Sequence, residues 1–539
     1  MKAGAYAAIP TPTCLQQGSF FGCFYVNFPR RIFRMKPTLS RTLATLALAL
    51  ALPLGQAAEA PRCRYAVVAK LPLQYTGPSL QVTIEGVING TPAIMLVDTG
   101  AYDSVLTRTG TERRGMKLSN LGRVARGVGG YSSIYQTRIK EFVAGPARSE
   151  RGHMRVISDF GFTPSFDAIL GAPFLLQTDL EISLATKEIK FFQPFNCSDT
   201  HLAYWDADAL VIPFDTSSET TPNPYFTVLV NGEKMRAIID TGAAATTISL
   251  AAAKRAGLKL DAPGVTRAGH VVGVGDDKVA FWHTAFKTFQ IGEEVIQNAD
   301  IGVIDRKGSD VDILLGDDFL RSHRVLIAMS QRKIYFSYVG GQPFEQRRKL
   351  EPWIQAEADA GNGDAQMRLA NMYGSGDGVA RDAQASGKWL EKAAASGNAY
   401  ANLYSGRSLL RQGRAGDAAP RLRLALDKLP SNRDAALWLH LARLRTSQAE
   451  LGRTELATAF ARSEDDEWPA PLAAFYLGKS SAEQVLKQAA EDRELGAKRR
   501  CMAIGSMREF HEAQGDSAGA QAMAAARRQH CTGEDEDDN

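Results

Sequence analysis

The chain has 539 residues, room for about three domains at roughly 100–200 residues each. Its 45% hydrophobic and 23% charged content is that of globular protein. Sixty-three basic against 59 acidic residues leave a net charge of +4, which argues against a nucleic-acid or anionic-membrane binder.

Lys36 and Arg41 precede the apolar run TLATLALALALPLG (42–55), which QAAEA follows. The run is shorter than the ~20 residues a membrane-spanning helix needs. The pattern predicts a secretory signal over 35–60, cut near Ala57 or Ala60, with an uncleaved anchor as the alternative. Residues 1–34 then read as an upstream mis-start, and the mature chain is expected to be secreted and periplasmic. Beyond the leader stand Cys63, Cys197, Cys501 and Cys531, which allow three pairings. Cys63 and Cys197 bracket the first β-rich unit, and Cys501 and Cys531 share the last helical stretch. Those two pairs are the expected disulfides of an oxidising compartment, with four buried thiols as the alternative.

Next comes an internal duplication. Asp-Thr-Gly-Ala occurs at 98–101 and at 240–243, an offset of 240 − 98 = 142. Asn89-Gly90 and Asn231-Gly232 keep it, since 231 − 89 = 142. Asn-Gly between alternating apolar runs predicts a tight hairpin, so each Asp follows a hairpin's second strand. GVGGYS from Gly127 and GVGDDK from Gly273 predict a second, glycine-tipped hairpin in each copy. AILGAPFL and ILLGDDFL then place Gly171 and Gly316 at 171 − 98 = 73 and 316 − 240 = 76 residues past their aspartates. This predicts two homologous, mainly β lobes at 63–197 and 203–345. The turn-forming stretch DTSSETTPNP from Asp215 reads as a loop or insertion in the second.

Asp-Thr-Gly-Ala after an apolar strand, with Ile-Leu-Gly or Leu-Leu-Gly later, resembles the retropepsin and pepsin family of aspartic proteases. The resemblance covers about 280 residues and implies two acid-protease-like lobes related by a pseudo-two-fold axis. It implies Asp98 and Asp240 as a catalytic dyad hydrolysing peptide bonds through an activated water. Two adjacent carboxyls cannot both ionise, so they share one proton and serve as acid and base together. On that resemblance Thr99 and Thr241 bond across the loops, and Gly100 and Gly242 permit close approach. Ala101 and Ala243 match the retroviral form of the motif. Ile169, Leu170 and Gly171, with Leu314, Leu315 and Gly316, support the acidic loops from beneath. Gly127, Gly129, Gly130 and Tyr131, and Gly273, Gly275 and Asp276, are candidate flaps; pepsins use one flap and retroviral dimers two. Asp103, Asp317 and Asp318 lack counterparts in the other copy and are not expected to be catalytic. No metal or organic cofactor is implied. The glycine hairpins lack the dinucleotide fingerprint, and neither a His-Glu-x-x-His helix nor a Gly-x-Ser-x-Gly elbow occurs.

After about 346 alanine rises and the period becomes helical. Gly361 to Gly397 and Ala365 to Ala401 are both 36 apart. This resembles Sel-one-like and tetratricopeptide repeats and predicts an all-α repeat domain over 350–531, ending in an acidic tail at 532–539. The expectation is an endopeptidase whose repeats dock a protein partner or substrate. The rivals are a non-catalytic peptide-binding scaffold, or a dimer whose lobes pair between chains.

Overall fold

The computed structural model describes residues 62–531 apart from 159, 161–162, 217–221, 276, 307–309, 345–348, 431, 462–467 and 492–495. The expected leader, mis-start and acidic tail, and the flap candidate Asp276, lie outside the described residues.

Lobe 1 is built from β1 (Arg64–Pro72), β2 (Gln74–Thr76), β3 (Gln81–Ile88), β4 (Thr91–Val97), β5 (Val105–Thr107), α1 (Arg108–Arg113), β6 (Ser119–Gly127), β7 (Gly130–Ala144), β8 (Ala147–Ile157), β9 (Ala168–Leu170), α2 (Ala172–Leu175), β10 (Asp179–Ser183) and β11 (Glu188–Phe195). Lobe 2 repeats the series as β12 (Leu210–Pro213), β13 (Asp215–Thr216), β14 (Pro224–Val230), β15 (Glu233–Ile239), β16 (Thr247–Ser249), α3 (Leu250–Arg255), β17 (Thr266–Val271), β18 (Val279–Ile291), β19 (Glu294–Ile304), β20 (Ile313–Leu315), α4 (Asp317–Leu320), β21 (His323–Ala328) and β22 (Lys333–Tyr338).

Each lobe forms an eight-stranded sheet, ordered β2-β3-β4-β9-β5-β8-β7-β6 and β13-β14-β15-β20-β16-β19-β18-β17. The orders superimpose strand for strand, so the 142-residue offset is a duplication of topology. The Asn-Gly turns fold as expected: Asn89 and Gly90 have φ of 53° and 80°, Asn231 and Gly232 of 50° and 84°. Two consecutive positive φ values match the twist of a two-residue hairpin.

A six-stranded sheet, β1-β11-β10-β21-β22-β12, joins the lobes beneath. Its centre is the antiparallel pair β10–β21, with Leu180 opposite Ile327 and Ile182 opposite Val325, all buried. Glu181 is buried in the same strand and is matched by Arg324 Nη2 at 2.8 Å and Lys190 Nζ at 3.1 Å. A disulfide between Cys63 and Cys197 closes the first lobe's terminal strands, and a second joins Cys501 to Cys531.

The C-terminal region is helical: α5 (Pro352–Asp359), α6 (Gly363–Ser375), α7 (Ala383–Ala395), α8 (Ala399–Arg411) and seven further helices among the described residues, to His530. The 36-residue period recurs in its hydrogen bonds. Asn362 and Asn398 cap α6 and α8. Gln366 Nε2 donates to Ala358 O, and Asn402 Nδ2 to Ala394 O. The first helices are not a separate body. Ile354, Ala358, Leu369 and Met372 belong to the same buried cluster as the two lobes, whereas later helices have their own core around Leu410, Leu439 and Met507. No helix among the described residues is long and apolar enough to cross a membrane.

Candidate active site

Both Asp-Thr-Gly-Ala loops emerge at the same point of their sheets. β4 runs parallel to β9, with Val97 opposite Leu170, and β15 parallel to β20, with Ile239 opposite Leu315. Asp98 N donates to Leu170 O (3.0 Å) and Asp240 N to Leu315 O (2.9 Å). The strands at Ile169–Leu170 and Leu314–Leu315 thus fix where each acidic loop begins. Ala101 O accepts from Ala172 N and Ala243 O from Asp317 N, both at 2.9 Å, closing the loops over Gly171 and Gly316.

Two threonines join the loops. Thr99 Oγ1 donates to Ile239 O and Thr241 Oγ1 to Val97 O, each at 2.7 Å. Each hydroxyl also accepts from the other threonine's amide, at 3.1 and 3.2 Å. Both residues are buried, so these four bonds form away from competing water. The site is complete within one chain.

Glycine is required beside each aspartate. A Cβ on Gly100 would stand 2.5 Å from Asp240 Cγ, and one on Gly242 2.5 Å from Asp98 Cγ. Each glycine thereby leaves room for the carboxyl of the opposite lobe. Gly100 N and Ala101 N donate to Asp98 Oδ1 (3.0 and 2.8 Å), and Gly242 N to Asp240 Oδ1 (3.0 Å).

The two carboxyls are hydrogen-bonded to each other. Burial, and then the charge of Asp240, holds Asp98 well above the usual carboxylate range. Burial also raises Asp240, but the Gly242 amide, the hydrogen bond from Asp98 and the Arg306 guanidinium oppose the rise. Both carboxyls are thus raised, Asp98 the more strongly, and the pair titrates as one unit that shares a proton.

The glycine hairpins of the two lobes meet each other. Gly129 N donates to Val274 O (2.9 Å), and Asp277 N to Gly129 O (2.7 Å). Gly127 pairs with Gly130 at the tip of the β6–β7 hairpin, where Gly130 has φ of 91°. Gly273 faces Val128, and Gly275 touches the Gly129 backbone. Val274 packs on the apolar cluster of Leu96, Val105, Phe166 and Ile169 in the opposite lobe. The two hairpin tips therefore interlock. Tyr131 is 64% exposed and stays outside this contact.

Several residues beside the dyad escaped the sequence reading. Asn223 Nδ2 donates to Thr99 O (2.8 Å) and Gln81 Nε2 to Gly242 O (3.4 Å), so each lobe caps the other's acidic loop. The repeat offset carries the signal, since 223 − 81 = 142. It was hidden because Asn223 sits in the turn-forming stretch read as a loop. The ends of that stretch are strand, Asp215–Thr216 in β13 and Pro224 opening β14, and the loop residue Asn223 between them is fully buried against Thr99. The hydroxyls of Tyr102 and Tyr225 also meet across the lobes at 3.0 Å.

Asp103 pairs with Arg155 at 2.6 Å, the structural place expected for it. Asp318 accepts from Thr246 N and Oγ1, bracing the acidic loop of lobe 2 from behind. Ser322, His323 and Glu294 are hydrogen-bonded in series, but Ser322 and His323 are buried and bond the Phe319 carbonyl. They staple α4 to its sheet.

Residues 84–174 match the family described as "Aspartyl protease", and residues 226–322 the family described as "gag-polyprotein putative aspartyl protease". No curated protein matches the chain. Among solved structures, the aspartic proteinase from Irpex lacteus is similar over 51% of this chain and 97% of its own, at 14% identity and a TM-score of 0.33. Each lobe is thus similar to an aspartyl protease family, the first over residues 84–174 and the second over 226–322.

Proposed function

We propose that the chain is an aspartic endopeptidase in which Asp98 and Asp240 act on one water molecule. The observation that carries this reading is the hydrogen-bonded carboxyl pair at the junction of the lobes. Asp240, ionised, takes a proton from water as it attacks the scissile carbonyl. Asp98 donates its proton to the carbonyl oxygen. Collapse of the tetrahedral intermediate releases the amine with a proton returned from the dyad. The backbone amides on each carboxylate and the threonine bonds keep the geometry fixed, so little reorganisation accompanies the charge movement. The flap tips part to admit an extended peptide and close on it to exclude water.

Export to an oxidising compartment, the periplasm, is part of the same proposal, and the two disulfides support it. The 36-residue helical period supports a stacked repeat surface for a protein partner or for substrate delivery.

Cleavage of a diverse peptide library across pH, by the wild-type chain and by Asp98→Asn and Asp240→Asn, tests the reading. Loss in both variants with melting unchanged supports one shared dyad. Cleavage surviving in both sinks that assignment. Peptide binding without cleavage by the wild type at any pH would favour a scaffold.

A further inference from the structure

Lobe 2 carries a carboxyl that lobe 1 lacks. Asp317 follows Gly316, and its counterpart in the strand register, 317 − 145 = 172, is Ala172. Asp317 is fully buried, and neither carboxyl oxygen has a hydrogen-bond partner. Its backbone N–H donates to Ala243 O (2.9 Å), which ties it to the loop bearing Asp240. Arg321 approaches it, with Nη2 3.9 Å from Asp317 Oδ2. In lobe 1 the position of Arg321 is taken by Leu176, since 321 − 145 = 176.

Arg321 is held in turn by the helical domain. Its guanidinium lies 3.5 Å from the ring centroid of Trp353, in α5, and 4.8 Å from that of Tyr75, in β2. The two rings are 5.0 Å apart. The Trp353 indole N–H donates to the Glu351 carboxylate (2.6 Å), which fixes the ring. A guanidinium packed against two neighbouring rings and partly shielded from water is held more firmly than one in solvent.

We propose that Trp353 of the helical domain is a positioning residue for the dyad, acting through Arg321 and Asp317. The inference rests on the reading of Asp98 and Asp240 as the catalytic pair. Arg321, Asp318 and Asp240 of lobe 2 act on Asp317, which in turn acts on Tyr75 of β2; Glu351 faces Asp318, and Glu357, paired with Lys187, faces Tyr75. Burial pushes Asp317 up to about 8, and Arg321 opposes the rise. With Arg321 in place Asp317 ionises in mildly alkaline solution. An anion beside Asp240 then makes the dyad's shared proton harder to remove. If Arg321 swings into water, Asp317 stays neutral and the dyad gives up its proton at lower pH. The helical domain thereby extends the alkaline side of the activity range.

The test uses the full chain. Trp353→Ala lowers kcat/KM on the alkaline limb about threefold to tenfold and leaves the acid limb in place, and Trp353→Phe restores most of the loss. Asp317→Ala, the residue lobe 1 carries there, gives the same alkaline loss. The double variant loses no more than Asp317→Ala alone. A Trp353→Ala profile identical to wild type, or a loss that adds to that of Asp317→Ala, overturns the proposal. Infrared difference spectroscopy of the buried protonated carboxyls reads the coupling without substrate. The band removed by Asp317→Ala persists to higher pH in Trp353→Ala than in wild type. An unshifted band overturns the proposal even where cleavage is found. A shifted band in a wild-type chain that cleaves nothing leaves the Trp353–Asp317 link standing and sinks the catalytic reading instead.

Discussion

Lobe 1 and lobe 2 present the same Asp-Thr-Gly-Ala loop at the end of equivalent strands, and they differ in what surrounds it. The shared features are those that gather the carboxyls: the parallel strand pairs beneath, the threonine bonds and the glycines facing the opposite aspartate. The differences lie around lobe 2. Arg306 acts on Asp240, and Asp317 with Arg321 stands where lobe 1 has Ala172 and Leu176. Two-fold repetition brings two like charges into contact with one set of folding instructions. Departure from it gives the two carboxyls unlike surroundings.

The largest effect should come from the feature the lobes share most closely. Asp98→Asn and Asp240→Asn are each expected to lower kcat/KM by about 10³-fold or more, because neither carboxyl alone supplies both acid and base. A fluorogenic peptide assay reads this. A much smaller loss for one than for the other would break the symmetric reading of the dyad.

The threonine bonds come next. Thr99→Val and Thr241→Val each remove a buried hydroxyl that donates to one backbone group and accepts from another. Each is expected to cost about 2–4 kcal/mol in urea unfolding. Equal costs would match the equal distances, and a tolerated change on one side would show that the junction rests on the other.

A smaller and unequal pair is formed by the caps. Asn223→Ala removes a fully buried side chain bonded at 2.8 Å and should cost about 1–3 kcal/mol. Gln81→Ala removes a part-buried bond of 3.4 Å and should cost about 0.5 kcal/mol or less. Equal losses would contradict the asymmetry of burial.

The last effect is a pH slope. A carboxyl ordinarily near 4 and raised to about 8 on folding stabilises the fold fully only below its unfolded value. That contribution is lost as pH rises toward 8. Melting temperature should therefore fall more between pH 5 and pH 8 in the wild type than in Asp317→Ala. Parallel slopes would mean that Asp317 does not retain its proton in the fold.

Much of this was legible in the chain. The offset of 142 places both aspartates, both Asn-Gly hairpins and both glycine supports, because a duplicated hairpin signal is local and survives without tertiary information. The disulfide pairs follow the expected bracketing. The cap at Asn223 was not legible, since a turn-forming composition describes a local preference and says nothing of burial. The packing across residue 350 was not legible either. Texture changes there from strand to helix, yet Ile354, Ala358 and Met372 pack into the core of the lobes.

The sequence by itself determined the repeat, the strand-turn-strand units and the identity of the two acidic loops, because these depend on periodicity and on dihedrals available to Asn and Gly. Only the tertiary structure decided that both hairpin tips meet, that the two carboxyls share one buried site, and that Trp353 stands against Arg321. Those facts depend on which groups from distant segments exclude water from one another, and no local pattern records that exclusion.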